Sequence, residues 1–248
     1  MASMTQSSDG EPANSVSTAV KARKWWQRPW IAPLMTVVLA FIAFSLPPYL
    51  TLDPSKSRIQ PPEGFALYYP LLVAHVLFAA TAMMTCCVQV WPWFRQRYPA
   101  AHRIIGRVYV FGGVIPAGII GLIIGAVSPY GPTLRVSNVL LAILWLTCTI
   151  TGFWMMRQHR FVEHRRWMIR SFALTMSVIT NRVWAVIALV VLIPQLPTTF
   201  EGNETMMIQT VAGLSGWLGW VLPLLLAEWW LERGNTAIYR ANAEVSAR

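Results

Sequence analysis

Six apolar runs, each long enough or nearly long enough to cross a bilayer, dominate this chain and leave it few ways to fold. A spanning helix needs about 20 predominantly apolar residues to cover a hydrocarbon core of about 30 Å. Residues 30–50, 65–91, 105–127, 134–156, 168–194 and 207–231 meet or approach that length. Lipid offers the backbone no hydrogen-bond partners, so runs of this kind must satisfy their own amides and carbonyls as helices. The sequence therefore predicts an all-α integral-membrane bundle of about six transmembrane helices, numbered here 1 to 6, over residues 30–232. Residues 1–29 form a tail, polar and disordered at first and then basic and aromatic between Lys21 and Arg28. Residues 233–248 form a second tail.

Composition agrees with the runs. Hydrophobic residues make up 55% of the chain and charged ones only 12%, which does not suit a water-soluble surface. The net charge of +10 would otherwise suggest nucleic acid, but on so apolar a chain it points to arginines gathered beside an anionic leaflet. Nucleic acid is excluded as a partner, and the lipid bilayer is the expected one. Cys86, Cys87 and Cys148 lie in apolar runs without paired metal-ligand spacing, so neither a disulfide framework nor a zinc module is expected.

The basic residues also give an orientation. With the N-terminus inside, one side of the membrane collects Lys21, Arg23, Lys24 and Arg28, then Arg95, Arg97, Arg103 and Arg107, then Arg157, Arg160, Arg165, Arg166 and Arg170, and finally Arg233, Arg240 and Arg248. The other side keeps Lys56, Arg58 and Arg135, with Asp53, Glu63, Glu201 and Glu204. By the positive-inside rule both termini are cytoplasmic, in a multi-pass protein of the plasma (inner) membrane. The sequon at Asn203, on the outer side, reads as a chance match.

The same connections carry an internal repeat. Arg95-Gln96 precedes His102-Arg103, and Arg157-Gln158 precedes His164-Arg165, so one string recurs with a displacement of 62 residues. Each string joins two apolar helices, and helices 2–3 and 4–5 read as two copies of one helical hairpin. Filling of two basic loops by topology alone is the competing account.

One arginine belongs to neither side. Arg182, beside Asn181, falls inside the fifth apolar run, where a charge costs several kcal/mol unless it is paired or hydrated. Counting along the helices puts His75 of helix 2 at a similar depth, so a shared polar cavity is expected, as a ligand-binding or catalytic centre. Hydrogen bonds from Arg182 to helix carbonyls are the structural alternative. Asp53 and Glu63 at the outer rim are candidate proton donors, since a carboxylic acid removed from water holds its proton more tightly. If Arg182 neighbours His75, the imidazole stays neutral and the proton must come from such an acid. Glu228 is expected to pair with an interfacial arginine such as Arg107.

The basic side offers a second set. His102, Arg103, Arg107 and Tyr109 at the start of helix 3, and His164 and Arg165 at the start of helix 5, suit a phosphate or lipid head group. Positive-inside topology explains the same residues without a ligand. A buried bis-histidine haem lacks a second mid-membrane histidine; only a haem at the basic edge, between His102 and His159 or His164, remains open. No other cofactor and no metal is expected. Trp184 and Trp217, deeper than the interfacial tryptophans, could hold an isoprenoid chain or a cation, or simply pack.

Three stretches resemble a known family. His75, the segment HRIIGRVY from His102 to Tyr109, and the segment HRRWMIRSFALT from His164 to Thr175 running on to Arg182 are similar to the domain of unknown function 2306 family of predicted bacterial membrane proteins. The resemblance covers about residues 65–190. It implies that His75, His102, Gly106, Arg107, Tyr109, His164, Trp167, Arg170 and Arg182 stand at family motif positions, and it implies no activity. Asn181 departs from the apolar residue more usual there. Size and helix count are also similar to the small integral-membrane terpene cyclases, as analogy only.

The functional reading is an integral-membrane enzyme acting on a hydrophobic small molecule, lipidic or prenylated, in its sharpest form by acid-initiated terpene cyclisation. His75, Arg182, Asn181, Asp53 and Glu63 form the expected catalytic set. His102, Arg103, Arg107, Tyr109, His164, Arg165, Trp184 and Trp217 form the expected substrate-binding set. A transporter or lipid-binding protein, and a redox protein with an interfacial haem, are the alternatives.

Overall fold

The computed structural model describes residues 30–59, 61, 62 and 64–246, with side chains as far as Arg233. The basic tail with Lys21, Arg23, Lys24 and Arg28, and the candidate donor Glu63, lie outside the described residues. The chain is an all-α membrane bundle. Its principal helices are α1 (Ile31–Ser45), α2 (Tyr68–Gln89), α3 (Pro99–Ala126), α4 (Pro132–Arg157), α5 (Phe161–Leu192) and α6 (Glu204–Ser246). Among the described residues, α2 to α6 are the helices long and apolar enough to cross a membrane, and α1 is a shorter apolar helix.

Several boundaries differ from the sequence expectation. The first run does not continue to residue 50 as one helix: α1 ends at Ser45, and a separate short helix, Pro47–Leu50, follows. Pro47 and Pro48 have no amide hydrogen to donate, so the helix cannot pass through them unbroken. The fifth helix starts at Phe161, seven residues before the apolar run, because its charged first turns remain helical outside the hydrocarbon. At the other end of the chain, α6 runs on as helix to Ser246 through the segment expected to be a tail. Asn203 serves as a cap at the start of α6, its Oδ1 accepting the Met206 amide at 3.0 Å.

Consecutive helices pack as neighbours from α1 on α2 through to α5 on α6, while α6 also rests on α4 and α2 touches α5. The middle of the bundle is a continuous apolar cluster that includes Val38, Ala82, Cys86, Cys87, Val114, Ala117, Cys148 and Leu174. All three cysteines are buried and free. Close approach is achieved with small residues: a Cβ on Gly113 of α3 would lie 2.9 Å from Ala82 of α2, and one on Gly219 of α6 would lie 2.8 Å from Asn181 of α5.

Within α3, residues Val108–Val114 form a π-helical turn, in which the Ile115 amide reaches back to the Val110 carbonyl. Pro116, which cannot donate, and the Gly112-Gly113 pair make this wider turn accessible. It carries Tyr109, 1% exposed, into a hydroxyl network at the bundle centre. Tyr109 Oη lies 2.5 Å from Ser171 Oγ and 2.9 Å from Thr175 Oγ1. Thr149 Oγ1 lies 2.6 Å from Ser171 Oγ, and the Trp145 indole donates to Thr175 Oγ1 at 2.9 Å.

Several positions 62 residues apart also lie near each other in space. Helix α3 begins at Pro99 and α5 at Phe161, 62 positions apart. Tyr109 and Ser171, also 62 apart, are hydrogen-bonded to each other, and His102 and His164 lie within electrostatic reach of each other.

Gly113 and Gly112 give a paired test of the close packing. Gly113→Ala should destabilise the protein by about 1–3 kcal/mol, because the added carbon meets backbone atoms of Ala82 that cannot turn aside. Gly112→Ala, whose new carbon would find only Val108 at 3.6 Å, should leave thermal unfolding in detergent unchanged or shift it upward. Equal losses at the two positions would show that α2 and α3 are not in close contact.

Candidate functional site

The residues singled out in the sequence separate into two ends of the bundle. At the end opposite the arginine-rich loops, three tyrosines converge. Tyr49 follows α1, Tyr68 opens α2 and Tyr130 lies in the turn before α4. Tyr49 is within electrostatic reach of Arg182, Arg58 and Tyr130, and Tyr68 of Tyr130 and Tyr49. The Tyr69 hydroxyl, in the same apolar cluster as Tyr49 and Tyr68, is buried without a partner among the described residues.

Arg182 is 21 residues from Phe161 and ten from Leu192, which puts it about 15 Å from the near end of α5 at 1.5 Å per residue. It is exposed on the bundle surface and makes no hydrogen bond or ion pair with a described residue. The helix-carbonyl account of Arg182 is thus not what the structure shows. Arg58, by contrast, is engaged: its guanidinium donates to the Phe44 carbonyl at 2.7 Å and lies 3.9 Å from the Phe44 ring centroid.

Tyr130 also borders a groove between the start of α4 and the start of α6. The groove has a volume of ≈ 510 Å³ and is lined by Gly131, Gln209, Gly213, Leu214 and Trp217 among others, and a smaller hollow of ≈ 220 Å³ adjoins it at Tyr130 and Gln209. Trp217 therefore faces a cavity, with its ring 5.5 Å from that of Trp220. Trp184, half-buried on α5, does not line it.

His75 and Arg182 have different neighbours. His75 Nδ1 lies 2.9 Å from the Ala117 carbonyl on α3, and its ring fills the space beside Gly121. Arg182 faces the Tyr49 side instead. Their depths do match to within about a turn, since His75 lies seven residues, or about 10 Å, into α2. Depth came from counting; direction around the helix did not. Asn181 is a packing residue, set against the backbone of α6 at Gly219.

Asp53 lies in an exposed turn, where Oδ1 accepts the Ser55 amide at 3.0 Å and the Ser55 hydroxyl at 2.7 Å. Those bonds, with Lys56 at 3.9 Å, hold its carboxyl below the usual carboxylate range. It is ionised at neutral pH, the reverse of the state expected for a proton donor. Glu228 pairs with Arg170 rather than Arg107, in a two-toothed contact that includes Nη2 to Oε2 at 2.9 Å. One turn along the same two helices, Arg166 meets Glu232 at 2.8 Å.

At the basic end His102 and His164 lie within electrostatic reach of each other, and His159 lies in the exposed turn before α5. His159 occupies a left-handed turn position with φ 60° and packs edge-on to Phe161. His164 Nδ1 lies 2.7 Å from the Gly152 carbonyl. His102 has its carbonyl tied to the Gln89 amide at 2.8 Å, while its Nδ1 is buried with no partner among the described residues. Arg95 and Arg103 lie beside it. Arg107 is exposed, and Arg165 is 5.5 Å from the Trp230 ring centroid. Tyr109, expected in the substrate-binding set, is enclosed in the hydroxyl network.

Fold and composition define a multi-pass membrane protein whose polar residues gather at two ends and along one internal axis. The family profile described as Predicted membrane protein (DUF2306) matches residues 72–231, and the chain belongs to that family. The match runs past the fifth helix into α6, farther than the three stretches that carry the resemblance in the sequence. No curated protein and no solved structure matches the chain.

Sequence reasoning missed Tyr49, Tyr68 and Tyr130, as well as Thr149, Ser171 and Thr175. The tyrosines resemble ordinary interfacial residues when read one at a time. Ser171 and Thr175 did leave a trace: two hydroxyls spaced i, i+4 share one face of an otherwise apolar helix. The geometry predicts that the stability losses of His75→Ala and Arg182→Ala add to within ~0.5 kcal/mol in the double variant. A larger coupling in thermal unfolding would mean that the two side chains do meet.

Proposed function

We propose that this protein holds a lipidic molecule with an anionic head group at the end of the bundle opposite the arginine-rich loops. The head group sits with Arg182 and the Tyr49 and Tyr68 hydroxyls, and the apolar part lies along the groove that Tyr130 shares with Trp217. The observation that carries this reading is Arg182, a guanidinium within an apolar helix with neither a carboxylate nor a carbonyl partner among the described residues. Such a charge is costly in a membrane and is characteristically found where a substrate or ion is bound. Guanidinium and phenol groups together form a donor set suited to carboxylate or phosphate oxygens.

The reading retains a lipidic small molecule as the ligand and does not rest on turnover. Acid-initiated cyclisation of a prenyl chain would require a protonated acid facing that ligand, and Asp53 is exposed and ionised. Appearance of a product of unchanged mass and new retention time, from a panel of prenylated compounds, is the result that would extend binding to catalysis.

Binding is tested by native mass spectrometry and lipid extraction of the detergent-purified protein. A co-purifying anionic lipidic species is expected. Arg182→Gln should weaken its binding by about 1.5–3 kcal/mol, the value of a hydrogen bond to a charged group, or roughly tenfold or more in affinity. Arg182→Lys should recover part of the loss, because charge is kept while the planar fork is not. Unchanged binding in Arg182→Gln would sink the proposal.

The positive-inside rule puts the arginine-rich end in the cytoplasm and this site toward the outer leaflet of the plasma (inner) membrane. Epitope tags at both termini should then resist protease added outside intact cells. Cleavage of either tag from outside would reverse or break this orientation.

A further inference from the structure

The arginine-rich end of the bundle, which the lipidic-ligand reading does not use, divides its charge unevenly. On the α5–α6 side the cations are answered within the chain. Arg160 meets Glu163 at 2.9 Å, Arg166 meets Glu232 at 2.8 Å, and Arg170 pairs with Glu228. Arg165 lies against the Trp230 ring. Among the described residues these glutamates are the acids of this end, so no carboxylate remains for α3 and α4. Arg103 and Arg107 of α3 and Arg157 at the end of α4 are exposed, and none makes a hydrogen bond or ion pair with a described residue.

A ring contact deeper in the bundle fixes how two of these arginines stand to one another. Phe111 of α3 and Phe153 of α4 meet edge to face, with ring centroids 5.1 Å apart. Arg107 comes four residues before Phe111, and Arg157 four residues after Phe153. Because α3 and α4 are antiparallel, both steps lead toward the basic end, each by one turn or about 6 Å. Residues four apart also share a helix face. Arg107 and Arg157 therefore rise from one level on adjacent helices, whose axes in contact lie about 8–10 Å apart. Two arginine side chains span such a gap from either side. Arg103, a further turn along α3, extends the basic strip. Beside and below the arginines the surface is apolar and open, with Ile104, Val108 and Phe111 exposed on α3 and Ile150 and Trp154 exposed on α4.

Positive-inside topology accounts for the sign of this charge but not for its placement, two guanidiniums one turn above a paired aromatic contact. We propose that this α3–α4 surface holds one anionic phospholipid of the leaflet on the basic side. Its phosphate lies between Arg107 and Arg157, and its acyl chains lie along Val108, Phe111 and Trp154. A phosphodiester accepts hydrogen bonds from two planar forks at once, and basic positions between spanning helices at this surface suit anionic head groups. A soluble anion would meet the same arginines but leave the apolar strip unused. Trp154, next to the head-group level, is placed as interfacial indoles are.

The test is a lipid titration of the full-length protein in detergent, with bound lipid counted by native mass spectrometry. It is run in the wild type and in Arg182→Gln, which lacks the guanidinium of the opposite end. In both, one tightly held phosphatidylglycerol per chain is expected at the basic end. Phosphatidylcholine of the same chains, whose choline cancels the phosphate charge, should be held roughly tenfold more weakly. Arg107→Gln and Arg157→Gln should each weaken phosphatidylglycerol binding about tenfold. Arg165→Gln, an equal loss of charge on α5, should leave it nearly unchanged. Phosphatidylglycerol should raise the melting temperature of the parent protein but not of the Arg107→Gln, Arg157→Gln double variant. Should a glutamine variant fold poorly, Arg107→Lys and Arg157→Lys keep the charge and lose the fork, and an intermediate weakening is expected of them. Equal weakening by Arg165→Gln, unchanged binding in the double variant, or displacement of the lipid by equimolar inorganic phosphate would overturn the site. A loss confined to Arg182→Gln bears on the opposite end alone, so the two proposals fail separately.

Discussion

The hydrogen-bonded contact between Tyr109 and Ser171 is the constraint around which the bundle is organised. In hydrocarbon a hydroxyl without a partner is expensive, and lipid cannot supply one. Tyr109 therefore has to meet acceptors on another helix, and it finds Ser171 and Thr175 one turn apart on α5. Thr149 and Trp145 of α4 close the network from the third side. Apolar packing between helices tolerates sliding, because one aliphatic contact much resembles the next. A network of hydroxyls in contact at 2.5 to 2.9 Å does not. It sets the register of α3, α4 and α5 together, and the π-helical turn in α3 is the local adjustment that brings Tyr109 into place.

Charge in this bundle follows two different arrangements. Arg166 and Arg170 of α5 face Glu232 and Glu228 of α6, so that the basic residues nearest the core are compensated across the helix interface. Such pairs add geometry to an otherwise sliding contact, and they explain why acids recur near the end of α6. Arg182 lies on the same helix as those two arginines but pairs with no carboxylate among the described residues, and Tyr49 is within its electrostatic reach.

Much of the architecture could be read from the residues. Long apolar runs and basic connections gave the helices and their antiparallel order. The 62-residue recurrence of Arg-Gln and His-Arg pointed to two hairpins, and Tyr109 and Ser171, 62 positions apart, are hydrogen-bonded to each other. The shared cavity for His75 and Arg182 was not found, because counting residues yields height in the membrane and not the direction in which a side chain points. The tyrosine cluster could not be read at all: Tyr49, Tyr68 and Tyr130 are far apart in sequence and meet only when three chain segments return to one end.

What the sequence determined by itself is the class of fold, since hydrophobic run length and the need to satisfy every backbone group in lipid leave only helices. It also determined which end is basic and which arginine is out of place. The tertiary structure decided the rest: that Glu228 faces Arg170 rather than Arg107, that Asn181 packs on Gly219, that Asp53 is an ionised turn residue, and that Tyr109 meets Ser171 and Thr175. Each of these depends on rotation and register between helices. Those quantities are set by the close contacts of glycines and hydroxyls across an interface, and no property of one helix alone specifies them.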